Sequence, residues 1–391
     1  MSTRRELAVL LAVLGLGLTA APANAQPTAP GYQVTGQPVD LGATIPTAPA
    51  IGPGRYTSTL PGSTAQGAPG ATAYLRVDLA DGERLHVAAT TGVPADPDRG
   101  QSGLDLQLLT PSGDRCQGGA SATADSDATA VTVTVAPDAA SAAKQGCGAA
   151  GEVVVSVQRT GSRGTSTDLP LELLVRVQPP TVDQGLAAAN AGDPVGPVVG
   201  GTVADVTGGA GFGAAPVLAP GVYADQLVVG QTRYYALAVD WGQRPAYLVQ
   251  AGRALTGSQR LTVELRNPVL QAVPVQGSDR GTGALTGSGA VAVAPGNQAQ
   301  GDSRISPLYT AGTYFLVVTL HGDESTAPVP LGVQVDAVGT AVAAPAVRVS
   351  GPPLAHAVPP AGRPGWTWPV VGVLAVAGLG LVVLSRRRRE R

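Results

Sequence analysis

Few residues of this chain could do chemistry, and the three histidines are the first to consider. His86 lies in the alternating run E-R-L-H-V, which predicts a solvent-facing position on a strand. His321 precedes Gly322 at a predicted strand end, and His356 lies in a proline-rich stretch. None has a partner at the spacing of a metal site or of a catalytic pair, and neither G-x-S-x-G nor H-E-x-x-H occurs. The sequence therefore predicts no catalytic residues and no enzyme.

Acidic and glycine-rich stretches are candidates for a metal or cofactor site. Asp96, Asp98 and Asp105 could gather around Ca²⁺, but their spacing is not that of a calcium loop. A solvated acidic turn is the alternative interpretation. The run G-G-A-G-F-G at 208–213 has neither a preceding strand nor a following helix, so it does not predict a nucleotide loop. No cofactor and no metal are predicted.

Aromatic side chains cluster in the second half of the chain, at Tyr223, Tyr234, Tyr235, Trp241 and Tyr247. They could fill a core that is otherwise poor in aromatics. Alternatively, Trp241 and Tyr247 could form a binding surface for sugars or for a protein partner. Because Trp241 stands beside a glycine at a strand end, we expect it to be exposed.

The two cysteines, Cys116 and Cys147, lie in the part of the chain that is predicted to be exported. An isolated pair in an oxidising compartment usually forms a disulfide, and two free thiols are the alternative. No histidine is close enough in sequence to complete a zinc site.

The C-terminal stretch has the pattern of a membrane span. Residues 369–384 carry no charged side chain, and about 20 residues cross a ~30 Å hydrocarbon layer. Trp366 and Trp368 would lie at one membrane interface. The basic residues Arg386, Arg387, Arg388 and Arg389 would lie at the other. This pattern predicts a transmembrane helix at 366–385 and a cytoplasmic tail at 386–391, with a buried core helix as the alternative.

The N-terminus is typical of a signal peptide. Arg4 and Arg5 precede the apolar run 7–18, and Ala23-Asn24-Ala25 fits a cleavage site. The sequence favours general secretion of the segment 1–25, although the arginine pair leaves twin-arginine export open. The predicted location is a single-pass protein of the cell membrane, with an extracellular ectodomain. No L-P-x-T-G precedes the span, so a lasting anchor is favoured over sortase cleavage.

Composition limits the class of protein further. The 391 residues include 53 glycines and 34 prolines, which predict turns and linkers rather than long helices. The net charge of −2 offers no basic face for nucleic acid. Lys144 is the only lysine, which is typical of coding in a GC-rich genome such as that of an actinobacterium.

An internal repeat organises the exported part. Residues 42–60 match residues 209–227 without a gap, including Pro53-Gly54 with Pro220-Gly221 and Tyr56 with Tyr223. The period is too long for a solenoid and indicates a duplicated domain. We predict domains at 42–178 and 209–336, a Gly/Ala/Pro-rich linker at 179–208 and a proline-rich stalk at 337–365.

The pattern of each copy predicts antiparallel β-structure. Strands are predicted at 74–79, 85–89, 104–109 and 131–135, and in the second copy at 234–240, 247–251, 261–265 and 314–320. A long mobile loop is predicted at 279–303. The fold class is mainly β, with two tandem antiparallel β-sandwich, jelly-roll-like domains and one C-terminal transmembrane helix.

The motifs G-x-Y, Y-x-x-V-x-x-x-x-G and G-L-D-L-Q-L-L-T-P-S-G resemble the bacterial pre-peptidase C-terminal domain family. The matching residues of the first copy are Gly54, Tyr56, Tyr74, Val77, Gly82, Leu104, Asp105, Leu106, Leu108, Pro111 and Gly113. Those of the second copy are Gly221, Tyr223, Tyr235, Val239 and Gly242. The second copy departs from the aspartate motif at 261–268. The resemblance implies a β-sandwich with an accessory binding or assembly role, and no catalytic residues.

Together these patterns predict a non-enzymatic, membrane-anchored surface protein that presents two β-sandwich domains to an envelope protein partner. A module that binds cell-wall polysaccharide is the alternative function, and an accessory of an envelope hydrolase is a third.

Overall fold

The computed structural model describes residues 31–62, 70–80, 82–93, 101–116, 119–124, 129–135, 151–161, 168–179, 195–198, 200–275, 284–322 and 327–343. These residues form nineteen strands in four sheets, with three short 3-10 helices at Ile45–Thr47, Phe212–Ala214 and Pro295–Ala299. The described part of the protein is mainly β, as predicted, and twelve of its fifteen strand pairs are antiparallel. The three parallel pairs each include a two-residue strand.

The first sandwich consists of two sheets, which we name 1a and 1b. Sheet 1a has the order β1-β2-β9-β4-β7, and sheet 1b has the order β3-β8-β5-β6. The strands are β1 Gln37–Pro38, β2 Gly54–Leu60, β3 Thr72–Leu79, β4 Arg84–Gly92, β5 Ser102–Leu109, β6 Ala120–Ala124, β7 Ala130–Val135, β8 Gly151–Gly161 and β9 Leu169–Gln178.

The second sandwich consists of sheets 2a and 2b. Sheet 2a has the order β10-β12-β19-β14-β17, and sheet 2b has the order β11-β13-β18-β15-β16. The strands are β10 Ala204–Asp205, β11 Val217–Leu218, β12 Gly221–Leu227, β13 Thr232–Val239, β14 Arg244–Ala251, β15 Arg260–Arg266, β16 Ala272–Val273, β17 Ala284–Ser288, β18 Gly312–His321 and β19 Val329–Val338.

The alternation of the sequence explains how each sandwich closes. In β3, Leu75, Val77 and Leu79 are buried while the residues between them are more exposed. Apolar side chains on the inner faces of sheets 1a and 1b form one core, and those of sheets 2a and 2b form another. Burial of this apolar surface, at about 25 cal/mol per Å², is what holds each pair of sheets together.

The two sandwiches share one topology except for β11, an edge strand that sheet 1b lacks among the described residues, so the repeat seen in the sequence is a repeat of structure. Sheet 2a has the same arrangement as sheet 1a, with β12 and β19 in the places of β2 and β9. In the first sandwich Tyr56 pairs with Leu173, and in the second Tyr223 pairs with Val333. These registers relate each residue of β9 to the residue 160 positions later in β19 (333 − 173 = 160). β1 lies before residue 42, where the first domain was predicted to begin. β10 lies within the predicted linker 179–208.

The sandwiches pack against each other through the outer faces of sheets 1a and 2b. Ala88 and Leu174 point outward from sheet 1a and meet Tyr234, Phe315 and Val317 of sheet 2b in a third apolar cluster. Phe212 and Phe315 make an edge-to-face contact with ring centroids 5.2 Å apart. Such a pair stabilises the folded state by about 0.5–1.5 kcal/mol in addition to the contribution from burying its apolar surface. The described parts of both sandwiches therefore share one continuous packed structure.

The segment predicted as a loop at 279–303 is part of the second sandwich in its described residues. The prediction of a long mobile loop is wrong for these residues, because β17 pairs with β14. Val291 and Val293 are also buried in the core of the second sandwich. The apolar run A-V-A-V at 290–293 explains that packing.

No helix of the described residues is long and apolar enough to cross a membrane. The predicted signal peptide 1–25 and span 366–385 lie outside those residues.

Candidate binding groove and domain interface

The two aromatic residues predicted to form a binding surface are both buried. Trp241 is 5% exposed, so its expected exposure is wrong. The physical reason is that residues 340–342 return across its turn, where the Val342 N–H donates a hydrogen bond to the Trp241 carbonyl at 2.9 Å. Tyr247 is 1% exposed and contributes to the core of the second sandwich. The interpretation of the aromatic cluster as packing material is the one that the structure supports.

His86 is 1% exposed, so its predicted solvent-facing position is also wrong. It does lie on the outer face of sheet 1a, but the second sandwich covers that face. The Tyr309 hydroxyl lies 3.2 Å from Nδ1 of His86, and Oε1 of Gln178 lies 2.8 Å from Nε2. This pattern assigns a neutral ring whose Nε2–H donates and whose Nδ1 accepts. Burial, with the nearby Arg84 charge, lowers the pKa of His86 to about 4.

The remaining predicted residues are spread over the chain. His321 ends β18, and its Nε2 lies 2.8 Å from the Thr262 hydroxyl. Cys116 is buried at the edge of the first core, and Cys147 lies outside the described residues. The described residues contain no group of three or more potential metal ligands, and the Asp105 carboxylate accepts a hydrogen bond from Gln107 at 2.6 Å. Asp96, Asp98, His356, Trp366, Trp368 and Arg386–389 are outside the described residues.

A polar crevice, which no sequence pattern indicated, lies beside the apolar contact between the sandwiches. Its volume is about 100 Å³, and both sandwiches line it. Thr129 and Thr132 contribute from the first sandwich, while Glu264, Arg266 and His321 contribute from the second. Hydroxyl groups pair across it, because Thr129 bonds to Thr232 and Thr232 bonds to Thr319 at 2.9 Å. The crevice is a hydroxyl-rich site that could hold a small polar molecule.

An ion pair is buried on the outer face of sheet 1a. The Arg55 guanidinium donates a hydrogen bond to Oε1 of Glu172, which is 1% exposed. The backbone N–H and the hydroxyl of Thr35 donate to Oε2 of the same carboxylate at 2.8 and 3.0 Å. Burial raises the pKa of Glu172, and the Arg55 charge and the Thr35 hydrogen bonds oppose that rise. The pair fixes residues 32–36, here named the arm, across sheet 1a.

The corresponding face of sheet 2a carries an open groove of about 120 Å³. Its walls are mostly aliphatic, and its residues are Val203, Val222, Tyr223, Ala224, Leu248, Gln250, Ala251, Gly252, Leu331, Gly332 and Gln334. In the described part of the chain, the side-chain amides of Gln250 and Gln334 make no hydrogen bond. The Tyr223 hydroxyl donates to the Ala219 carbonyl at 2.8 Å. The groove thus offers apolar surface together with amide groups available to a ligand.

The groove follows the same course as the arm does in the first sandwich. The arm touches Arg55 and Tyr56, then Glu172, and ends with Tyr32 against Gly92. The strand registers relate these four positions to Val222, Tyr223, Gly332 and Gly252, all of which line the groove. The aligned strands P-L-E-L-L-V and P-L-G-V-Q-V hold the sequence signal for this difference, namely glutamate in one copy and glycine in the other.

The chain is therefore a tandem β-sandwich protein. No protein-family model matches it, and no curated protein matches it in sequence. Among solved structures it is similar to the tandem CBM22-1–CBM22-2 domain of Paenibacillus barcinonensis Xyn10C, at 9% identity over 68% of this chain and 83% of that one, with a TM-score of 0.20. A putative secreted protein of Parabacteroides distasonis is similar at 9% identity, over 73% and 90% of the chains, with a TM-score of 0.19.

The CUB1-EGF-CUB2 segment of human MASP-1/3 is similar at 6% identity, over 72% of this chain and 99% of that one, with a TM-score of 0.17. Scores this low carry no argument about function.

Proposed function

We propose that the chain is a non-enzymatic, membrane-anchored protein of the cell envelope that binds a protein partner through the outer face of sheet 2a. The open groove on that face is the observation that carries the proposal. In the first sandwich the equivalent face is covered by the arm and by the second sandwich. In the second sandwich, the described residues leave Val222, Leu248 and Gln334 half-buried on this face.

The chemistry of the face favours a protein partner over a glycan or a nucleic acid. It combines aliphatic side chains with neutral amides, which is typical of protein-binding patches. The one aromatic residue of the groove, Tyr223, is 7% exposed and so presents little ring surface for stacking on a sugar. With a net charge of −2 the chain also lacks the positive potential that nucleic acid requires.

Location at the membrane is part of the proposal and is supported by the sequence. The pattern of 1–25 favours export, and the pattern of 366–391 favours one span with the C-terminus in the cytoplasm. The proline-rich stretch 337–365 would then hold the sandwiches away from the membrane. The resemblance to pre-peptidase C-terminal domains supports an accessory binding role.

Site-specific photocrosslinking in the native host would test the proposal. A photoreactive amino acid at position 248 or 222 should capture the same single protein, because both positions border the groove. A matched probe at Asp105, which lies on the outward side of sheet 1b, should not capture it. Equal capture at positions 105 and 248 would count against a binding role for this face.

Wall glycan is the second candidate, and the hydroxyl-rich crevice is the observation that favours it. Sugars are recognised by side chains that both donate and accept hydrogen bonds, and Thr262 and Thr319 provide such groups. Calorimetric titration with soluble peptidoglycan fragments would test this function. Binding that is lost in Thr262→Val and Thr319→Val but kept in the control Thr286→Val would support it. Binding that is unchanged in all three variants, or absent in the parent protein, would remove it.

A further inference from the structure

We propose that the groove of sheet 2a binds an extended peptide segment of the partner, laid across the sheet as the arm is laid across sheet 1a. This inference rests on the proposed function and specifies its ligand. The first sandwich provides the precedent, because its own residues 32–36 fill the equivalent course.

The geometry of the arm shows how such a segment sits. A Cβ at Gly36 would lie 2.7 Å from the Arg55 backbone, so the arm enters in close contact with β2. Two hydrogen bonds from Thr35 to Glu172 then hold it over β9. Tyr32 ends the course against Gly92 at the end of β4. An extended chain can therefore cross the outer face of sheet 1a from β2 over β9 to β4. The equivalent course on sheet 2a runs from β12 over β19 to β14.

The second copy leaves this course empty among its described residues, and the linker residues Val195 and Val198 hydrogen-bond elsewhere on sheet 2a. The Val198 N–H donates to the Asp336 carboxylate at 2.9 Å, and the Val195 N–H donates to Ser288 at 3.1 Å. Asp336 is four residues beyond Gly332 on β19, which is roughly 13 Å at ~3.3 Å per residue. A Cβ at Gly200 or Gly201 would meet nothing within 4 Å, so the space beside these two residues is open, and Val203 is the linker residue that lines the groove.

The substitutions between the copies define the chemistry of the ligand. Arg55 and Glu172 are replaced by Val222 and Gly332, so the groove carries no charge pair to anchor a polar hydroxyl. Gly332 leaves space between Ala224 and Gln250, and Val222 and Leu248 lie two residues further along the same face. This space suits one aliphatic or aromatic side chain. Each of the amides of Gln250 and Gln334 can both donate and accept, as the backbone of an extended peptide requires.

A second copy of the chain fits the groove less well. The described outer faces of its sheets 1a and 2b are buried against each other, and its own Tyr32 is 8% exposed. Its sheet 1b presents the Arg76–Glu152 ion pair, which would lose water on an aliphatic surface. A peptide from another protein is therefore the occupant that the groove favours.

A peptide library displayed on phage, selected on the full-length protein in detergent, would test the inference. Three variants decide it, namely Gly332→Trp, Leu248→Asp and the control Gly301→Trp. A Cβ at Gly332 would meet one atom within 4 Å, the Gln250 oxygen at 3.8 Å, and a Cβ at Gly301 would meet none, so both positions accept a side chain. The unfolding temperature of each variant shows whether it is folded.

We expect the selected peptides to share one apolar anchor. Their affinity should fall at least about tenfold in Gly332→Trp and in Leu248→Asp, and less than about twofold in Gly301→Trp. Peptides that bind all variants equally, or a failure to select any, would overturn the inference. So would a parent dimer that Leu248→Asp converts to a monomer, since a second copy would then cover the face.

The two proposals can fail separately. A protein crosslinked at position 248 together with no Gly332-dependent peptide would mean that the face binds a folded surface, and the proposed function would stand without this inference. Loss of both the crosslink and the peptides would remove both.

Discussion

Glu172 and Gly332 occupy equivalent positions in the two sandwiches and have opposite surroundings. In β9, Glu172 pairs with Thr57 and Thr90 of the neighbouring strands, and in β19, Gly332 pairs with Ala224 and Gln250. The glutamate is buried under the arm with Arg55 beside it. The glycine is half-buried in the floor of an open groove. One copy thus closes this face with its own chain, and the other leaves it open among the residues that the structure describes.

Replacing Glu172 by alanine should destabilise the first sandwich strongly. The change leaves the Arg55 guanidinium buried, with its side chain only 9% exposed, and removes both hydrogen bonds to Thr35. Removing one partner of a buried pair typically costs about 3–5 kcal/mol. Urea denaturation of the parent and Glu172→Ala should show a loss of that size in the free energy of unfolding.

Glu264→Ala is the matched control for this change, because the Glu264 side chain is 57% exposed in its ion pair with Arg266. Surface pairs of this kind contribute about 0–1 kcal/mol. Replacing both Arg55 and Glu172 by methionine should recover much of the stability, since no uncompensated charge then remains. Similar losses for Glu172→Ala and Glu264→Ala would contradict the buried role.

The stability of the protein should fall as the pH is lowered from about 6.5 to 4, with His86 as one cause. The folded state keeps this ring neutral down to pH about 4, while an unfolded chain protonates it near its ordinary value of 6.5. The stabilisation is complete above pH 6.5 and is lost as the pH falls through this window. A shift of this size corresponds to roughly 3 kcal/mol.

Calorimetry at pH 7.5 and pH 4.5 on the parent and on His86→Gln would measure this contribution. The variant should lose less stability between the two pH values, because glutamine keeps hydrogen-bonding capacity toward Tyr309 and Gln178 without a proton to bind. Because burial raises the pKa of Glu172, its protonation favours the folded state as the pH falls, which is the opposite of the His86 effect. Parent and variant both contain Glu172, so its contribution cancels when they are compared. An equal loss in both proteins would exclude His86 as the cause.

Phe315→Ala should weaken the contact between the sandwiches rather than the core of either one. Phe315 is fully buried in the interface cluster beside Phe212, while its neighbours Tyr314 and Leu316 point into the second core. Truncating a buried phenylalanine costs about 3–5 kcal/mol. We expect the parent to unfold in one calorimetric transition and the variant to unfold in two. Leu316→Ala, as the control, should lower stability without that separation.

The sequence predicted the strands because one physical signal controls them. Where apolar and polar residues alternate, as in 74–79 and 131–135, the alternation follows from one face being buried in the sandwich. The shared motifs likewise predicted the two copies, since equivalent strands need equivalent inward residues. Both results depend only on contacts that lie close to each strand in its own sandwich.

The domain interface was not predicted because the alternation of a strand does not say what covers its outer face. His86 and Thr90 are polar residues on the outward side of β4, as on a solvated strand, yet both are buried, and Tyr309 of the second sandwich contacts His86. The unbroken apolar run Y-F-L-V-V at 314–318 does hold the relevant signal, since such runs are typical of strands buried on both faces. Trp241 was misplaced for a related reason, because the residues that cover it are a hundred positions away.

Removing the predicted disulfide should destabilise the first sandwich. Cys116 is buried at the core, and its N–H donates to the Leu108 carbonyl at 2.8 Å, so this end of the bridge is held in place. The loop from Cys116 to Cys147 spans 31 residues (147 − 116 = 31) and includes β6 and β7. Closing a loop of that length restricts the unfolded chain and stabilises the folded one by roughly 3–4 kcal/mol.

Urea denaturation with and without a reductant, on the parent and on Cys116→Ala, Cys147→Ala and the double variant, would measure this effect. If the two cysteines are bonded, the three variants should lose similar stability, because each removes the same bridge. Reductant should then affect only the parent. A double variant that loses the sum of the two single losses, with a parent insensitive to reductant, would show instead that the thiols are free and that Cys116 stabilises the fold by packing alone.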